Sequence, residues 1–148
     1  MGGTAGRRRV PIAARCGRDA RDRLEATYAF RSLLDSGALL ANGSDAPVEE
    51  LDPIAGLAAG VLRTIDERPA WQPEQTLAVE QALHAATVAP AWLTGDERRR
   101  GKLLPGYLAD LVVLDRDPFA VEPEELPSLQ VVATMVGGRW VHNPPPWD

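Results

Sequence analysis

The sequence is poor in cysteine and in long apolar runs. Cys16 is the only cysteine, so no disulfide can form within the chain. This usage is typical of a reducing compartment, and we expect a cytoplasmic protein. No stretch approaches the roughly 18 unbroken apolar residues that a membrane-spanning helix requires. The sequence therefore predicts a soluble protein without a membrane partner.

Basic residues are scarce beyond the first 23 positions. Residues 1–23 hold seven of the 16 basic residues and two of the 21 acidic ones, so the remainder carries a balance of −10. Because phosphate binding needs clustered Lys and Arg, this acidic body argues against nucleic acid as a partner. The Arg-rich start could be a nucleic-acid arm or a transit peptide. We interpret residues 1–17 as a disordered basic leader.

Apolar side chains recur at helical spacing in the first two thirds of the chain. The first helix should end where Gly37 can adopt the left-handed conformation of a C-cap. The second should begin with Asp52 as its N-cap and Pro53 in its first turn, where a missing N–H costs nothing. The predicted ranges are 20–36, 52–65 and 79–87, with one or two further turns at 90–93.

A short apolar run, residues 38–41, separates the first two helices. Because it does not alternate with polar residues, it predicts a strand buried on both faces, as in a parallel sheet. A polar loop follows, so Asp45 should stand at the carboxyl end of this strand, where reactive groups collect in parallel α/β proteins. By position alone, Asp45 fits a turn former or a helix cap better than a catalytic acid.

The pattern changes after Gly95 from helical to strand-like. A Gly137-Gly138 pair predicts a two-residue hairpin between the last two strands. Helix, strand and two helices thus precede a small β region, which indicates two structural layers meeting near Gly95. The predicted strands are residues 111–114, 131–136 and 139–142.

Four sequence motifs, taken together and in this order along the chain, indicate a protein family. They are residues 28–35, residues 43–48 (Gly-Ser-Asp-Ala-Pro-Val) with 51–53 (Leu-Asp-Pro), residues 101–115, and residues 134–141. Together they resemble the C-terminal part of the amidohydrolase superfamily, in the branch that includes N-substituted formamide deformylase. The similarity runs from about residue 18 to residue 142.

The resemblance implies an α/β fold, namely the C-terminal fragment of a (β/α)8 TIM barrel plus part of a small β-sandwich. Residues 18–94 would be the last part of the barrel, with the final strand at 38–45 and its flanking helices. Residues 95–148 would be the C-terminal part of the β-sandwich. A complete barrel needs about 250 residues, so these 148 can hold only its end.

The resemblance also implies a metal-dependent hydrolase acting on C–N bonds of the amide or formamide type in a small-molecule substrate. Family members hold a divalent metal, expected to be zinc, through several histidines, a carboxylated Lys or Glu, and the aspartate matched by Asp45. Bound to such a metal, water has its pKa lowered to about 7. Asp45 is thereby implied to be both a metal ligand and the catalytic group that carries the water's proton to the departing nitrogen.

The sequence departs from the family pattern in its histidines. It contains two, His84 and His142, and no His-x-His pair. We expect both to face solvent and neither to bind a metal, and we expect the isolated chain to bind no zinc. The alternative to an active enzyme is therefore a truncated, catalytically inert fragment that needs a partner chain for the rest of the barrel.

Two further expectations concern surfaces. An uncovered edge at residues 38–41 favours a homo-oligomer or a complementing chain, because exposed edges and apolar patches drive association. Asp110, an acid before an apolar strand, is interpreted as structural and is left out of the site.

Overall fold

The structure, a computed structural model, describes residue 24 and residues 27–49, 51–64 and 66–143. The predicted leader, residues 1–17, lies outside these ranges. The described α-helices are α1 (Phe30–Asp35), α2 (Pro53–Leu62), α3 (Val79–Ala86) and α4 (Val88–Leu93). The described strands are β1 (Leu111–Leu114), β2 (Val131–Val136) and β3 (Arg139–His142), and 3-10 helices cover Pro73–Gln75 and Pro123–Ser128.

Helix α1 covers the later part of the predicted helix 20–36 and ends as expected, while residues 20–23, 25 and 26 of that range lie outside the described residues. Tyr28 has a φ of 54°, a left-handed conformation that cannot continue a helix, so α1 begins at Phe30. At the other end Gly37 has a φ of 86°, and its N–H donates to the carbonyl of Leu34 at 2.9 Å. The predicted glycine cap is confirmed.

Helix α2 starts with the predicted residues. The Asp52 carboxylate accepts a hydrogen bond from the Ile54 N–H at 2.9 Å, and Pro53 occupies the first turn. The helix ends at Leu62, earlier than predicted, because Arg63 adopts a left-handed φ of 57°. The predicted apolar face is confirmed by the buried side chains Leu57, Ala58 and Val61.

One core joins the helices to the segment that precedes the last two strands. Helix α2 packs against α3 on one side and against Pro123–Ser128 on another. Leu126 of that 3-10 helix is completely buried. The buried members of this core are Leu57, Ala58, Val61, Leu77, Ala82, Leu126 and Leu129.

The C-terminal strands form an antiparallel sheet in the order β1-β2-β3. Gly137 and Gly138, with φ of 56° and 78°, make the tight turn between β2 and β3 that the sequence predicts. The Asp110 carboxylate accepts a hydrogen bond from the Gly137 N–H at 2.7 Å. Asp110 therefore fastens the start of β1 to the hairpin, as expected for a structural residue.

Residues 38–45, predicted as the final barrel strand, are not paired with a strand among the described residues, and their place in a barrel stays a prediction. The strands of the described residues all belong to the C-terminal sheet, and none runs beside this segment. A strand exists through hydrogen bonds to a neighbour, and a parallel neighbour requires a crossover of a dozen or more residues. The segment instead contacts α3, where the Asn42 N–H donates to the Ala85 carbonyl at 2.8 Å.

The assignments of residues 18–94 to a barrel and of residues 95–148 to a sandwich stay predictions. The described part of the chain combines helices with a small antiparallel sheet. Its helices are all too short or too polar to cross a bilayer.

Candidate functional site

Asp45 lies on an exposed turn between residues 38–41 and helix α2. Its φ of 53° is left-handed, a conformation that Asp tolerates better than most residues, and its carbonyl accepts from the Val48 N–H at 2.9 Å. Within the described residues its carboxylate makes no hydrogen bond or ion pair. A solvent-open carboxylate of this kind can accept hydrogen bonds or bind a cation.

Two anchors bound the segment that carries Asp45. Asn42 is hydrogen-bonded to Ala85 on one side, and Asp52 caps helix α2 on the other. Helix α2 also runs close to Asn42, because a Cβ at Gly56 would lie 3.2 Å from the Asn42 side-chain nitrogen. The position of Asp45 therefore depends on how α2 and α3 pack.

The described residues do not by themselves provide a metal centre. They contain no group of three or more His, Cys, Asp or Glu side chains close enough to hold an ion. His84 and His142 are both exposed, as expected, and His142 Nε2 lies 3.1 Å from the side-chain nitrogen of Asn143. Catalytic zinc takes about three protein ligands and structural zinc about four. Asp45 could supply one of them.

A cavity of about 780 Å³ opens beside this segment, and its lining is largely apolar. It lies between residues 40–43, helix α2, helix α3 and the aromatic side chains of Tyr28, Phe30 and Trp71. Asp45 does not line it, although Asn42, Gly43 and Glu49 on either side of Asp45 do. The candidate acid and the cavity are therefore neighbours but not one site.

Arg63 is a buried cation at this cavity and was not predicted as a site residue. It is 9% exposed, and its guanidinium carbon lies 5.0 Å and 5.3 Å from the ring centroids of Phe30 and Trp71. Its Nε donates to the Trp71 carbonyl at 3.1 Å, and its Nη2 donates to Gln72 at 3.4 Å. Burial lowers the pKa of Arg63, and the charge of Glu74 partly opposes this shift.

No local pattern in the sequence marks this arrangement. Arg63 follows an apolar helix, where a basic residue is ordinary, and its aromatic neighbours come from other parts of the chain. Tyr28 completes the group by meeting both Phe30 and Trp71 edge to face at 5.9 Å.

Comparison with known proteins places the chain in a family. The amidohydrolase family model matches residues 8–142, so the chain belongs to the amidohydrolase family, as the motifs indicated. It is 36% identical over 126 residues to the putative amidohydrolase YtcJ of Bacillus subtilis, a match that covers 83% of this chain and 24% of that protein. It is 32% identical over 111 residues to the N-substituted formamide deformylase of Arthrobacter pascens, covering 75% of this chain and 20% of the relative.

A solved structure gives the same result. An uncharacterized metal-dependent hydrolase from Pyrococcus horikoshii superimposes with a TM-score of 0.61 at 31% sequence identity, over 70% of this chain and 21% of that one. The chain thus spans a quarter or less of the length of these relatives.

Proposed function

We propose that this chain is the C-terminal part of a metal-dependent hydrolase that cleaves C–N bonds of the amide or formamide type, with Asp45 as its proton-transferring residue. The observation that carries the proposal is the exposed Asp45 carboxylate, which no described side chain engages. Support comes from the family and from the names of the relatives, an N-substituted formamide deformylase and a metal-dependent hydrolase.

The proposed role follows from the proton balance of hydrolysis. Water forms a bond to the carbonyl carbon, the C–N bond breaks, and one proton of that water ends on the departing nitrogen. A carboxylate oxygen of Asp45 accepts this proton and then donates it to the nitrogen, giving an acid and an amine. A positioned acid–base group of this kind contributes roughly 10²–10⁴-fold to a rate.

The remaining ligands are proposed to come from residues other than those described. No metal-binding group exists within the described residues, so the family's divalent metal, which we expect to be zinc, does not fit this part of the chain alone. A complementing chain that carries the missing ligands is the proposed partner for metal binding. A second copy in a homo-oligomer is proposed only as a cover for the edge at residues 38–41, because it adds no histidines other than His84 and His142. By itself the chain is proposed to be inert.

A chimera tests the proposal. The matched 111-residue segment of the Arthrobacter deformylase is replaced by the corresponding segment of this chain. We expect the chimera to release formate from an N-substituted formamide, and Asp45→Asn to lower turnover by about 10²–10⁴-fold. The melting temperature should change little, because the Asp45 side chain makes no hydrogen bond to a described residue.

Asp35→Asn is the matched control in the same chimera. This exposed carboxylate, ion-paired with Arg31 at 2.9 Å, undergoes the same chemical change away from the site. It should cost at most about 0.5 kcal/mol of stability and leave turnover intact. Retained turnover in a folded Asp45→Asn chimera would remove Asp45 from the mechanism, and a lower melting temperature with normal turnover would assign it a structural role.

Metal analysis tests the source of the ligands. After dialysis the isolated chain should carry well under one equivalent of zinc, whereas the chimera should retain metal. About one tightly held equivalent in the isolated chain would contradict the need for outside ligands.

A further inference from the structure

The cavity beside helix α2 has the size of a small-molecule site. Its volume, about 780 Å³, falls within the roughly 300–1,000 Å³ typical of ligand pockets. Such pockets combine an apolar lining with a few polar groups that fix the ligand's orientation. Here the apolar surface comes mainly from Phe30, Leu40, Trp71, Leu77 and small residues of α2 and α3.

Within the described residues, the positive charge of Arg63 is not balanced by a carboxylate in direct contact. Arg63 forms no ion pair within the described residues, and Glu74 acts on it only through a longer-range attraction. Arg68, also at the cavity, is already paired with Asp66 at 2.7 Å. Glu49, at the rim, has an interaction of its own. The side chain that is both buried and without an anionic partner is thus Arg63.

The aromatic rings fix Arg63 without using its full donor capacity. A guanidinium carries five N–H donors, of which two hydrogen bonds, to Trp71 and Gln72, are made here. The rings of Phe30 and Trp71 lie against the guanidinium, 5.0 Å and 5.3 Å from its carbon, and offer no carboxylate or carbonyl acceptor for the remaining N–H groups. This leaves a positioned cation at the wall of an apolar cavity.

We propose that the cavity binds a small amphipathic organic anion, with its ring or branched apolar body between α2 and α3 and its carboxylate or sulfonate on Arg63. A charge-assisted bond from a guanidinium to an oxyanion is stronger than a neutral one, and more so beside a largely apolar lining. The site is distinct from Asp45 and does not depend on the proposed hydrolase activity.

Two fluorescent probes that share one ring system test this site. The first is 8-anilinonaphthalene-1-sulfonate, and the second is uncharged N-phenyl-1-naphthylamine, which lacks the sulfonate. Titrated into the full chain, the sulfonate should bind at one site per chain and at least about tenfold more tightly than the uncharged probe. Added 1-naphthoate should displace it, and 1-naphthylmethanol should do so at least about tenfold less well.

Two variants separate charge from shape. Arg63→Met should weaken the sulfonate by about tenfold or more and leave the uncharged probe within about threefold, because Met keeps an apolar side chain of similar length while the charge and the N–H donors are lost. Ala59→Phe, which fills the cavity from α2, should weaken both probes. If Arg63→Met fails to fold, two other measurements test whether the negative charge of the ligand is recognised. They are probe binding to Arg63→Lys, which keeps the positive charge, and the naphthoate competition in the unaltered chain.

Equal affinity for the two probes, or equal displacement by naphthoate and naphthylmethanol, would overturn the proposal, since both mean that the negative charge is not recognised. Unchanged binding in Ala59→Phe would overturn it too, because the probe would then occupy another surface.

Discussion

Strand β2 of the C-terminal sheet is hydrogen-bonded along both edges, whereas residues 38–45 make few backbone hydrogen bonds to the other described residues. Strand β2 is paired on both edges, with β1 and with β3. In residues 38–45, the N–H groups of Ala38 and Asn42 are the two that donate to a carbonyl of the described residues. The two regions therefore differ in where their hydrogen-bond partners lie.

Connection length explains the difference. An antiparallel neighbour can follow after a two-residue turn, as β3 follows β2 through Gly137 and Gly138. A strand of a parallel sheet needs neighbours that are distant in sequence. A hairpin thus forms its backbone hydrogen bonds between residues that are close in sequence. An apolar run such as residues 38–41 needs partner strands from other parts of a protein.

Amide hydrogen exchange gives the largest expected contrast between the two regions. The N–H groups of Ala133 and Met135 in β2 should exchange at least about a thousandfold more slowly, after correction for intrinsic rates, than those of Leu39 and Ala41. Equal protection would mean that residues 38–45 have a pairing partner in solution, such as a second copy of the chain.

The core between helices and sheet should be far more sensitive than residues 38–45. Leu126→Ala removes a completely buried side chain and should lower the free energy of unfolding by about 2–5 kcal/mol. Leu39→Ala is the matched control, because Leu39 is 44% exposed and its loss should cost less than about 0.5 kcal/mol. Urea denaturation measures both. A similar cost at the two leucines would show that Leu39 is covered in solution.

Substitutions at two glycines, one in a packed part of the chain and one in residues 38–45, should also differ in their cost to stability. Gly101 has a φ of 84°, and a Cβ there would lie 2.8 Å from the Thr87 carbonyl oxygen, so Gly101→Ala should cost about 1–3 kcal/mol. A Cβ at Gly43 meets nothing within 4 Å, and Gly43→Ala should be close to neutral. Thermal unfolding distinguishes them, and a destabilised Gly43→Ala variant would indicate that residues 38–45 are tightly packed.

The smallest expected effect is a pH dependence near β1. The Gln130 N–H donates to the Asp115 carboxylate at 2.8 Å and lowers the pKa of Asp115, with help from Arg116. A lowered pKa in the folded state means that the contribution to stability is present above the unfolded value, about 3.9, and is lost as the pH falls through the folded value. The melting-temperature difference between the unaltered chain and Asp115→Asn should therefore shrink below about pH 4. A difference independent of pH would exclude this contribution.

Elements set by neighbouring residues were predictable from the sequence. Asp52 and Pro53 start α2, Gly37 ends α1, and the two glycines of the hairpin join β2 to β3, each through contacts within a few residues. These contacts involve specific backbone requirements, such as a left-handed φ or a free N–H, that particular residue types meet.

Features that depend on distant residues were not predictable in the same way. The strand expected at residues 38–45 needed partners that the described residues do not contain, and the buried position of Arg63 depends on rings from two other segments. The role of Asp45 was inferred from family motifs and stays a prediction, because its chemistry requires groups that an individual motif does not contain.

The hydrogen bond between Asn42 and Ala85 has a consequence for the catalytic role proposed for Asp45. Asp45 is three residues after Asn42, whose backbone is hydrogen-bonded to α3. The backbone of Asp45 can therefore lie at most about 10 Å from that of Asn42. Positioned groups owe their rate advantage to effective molarities of roughly 10⁵–10⁸ M, which exist only when the reacting atoms are held near contact. A neighbouring chain that fixes residues 43–45 would thus raise the local concentration of this carboxylate at the substrate without adding any new chemical group.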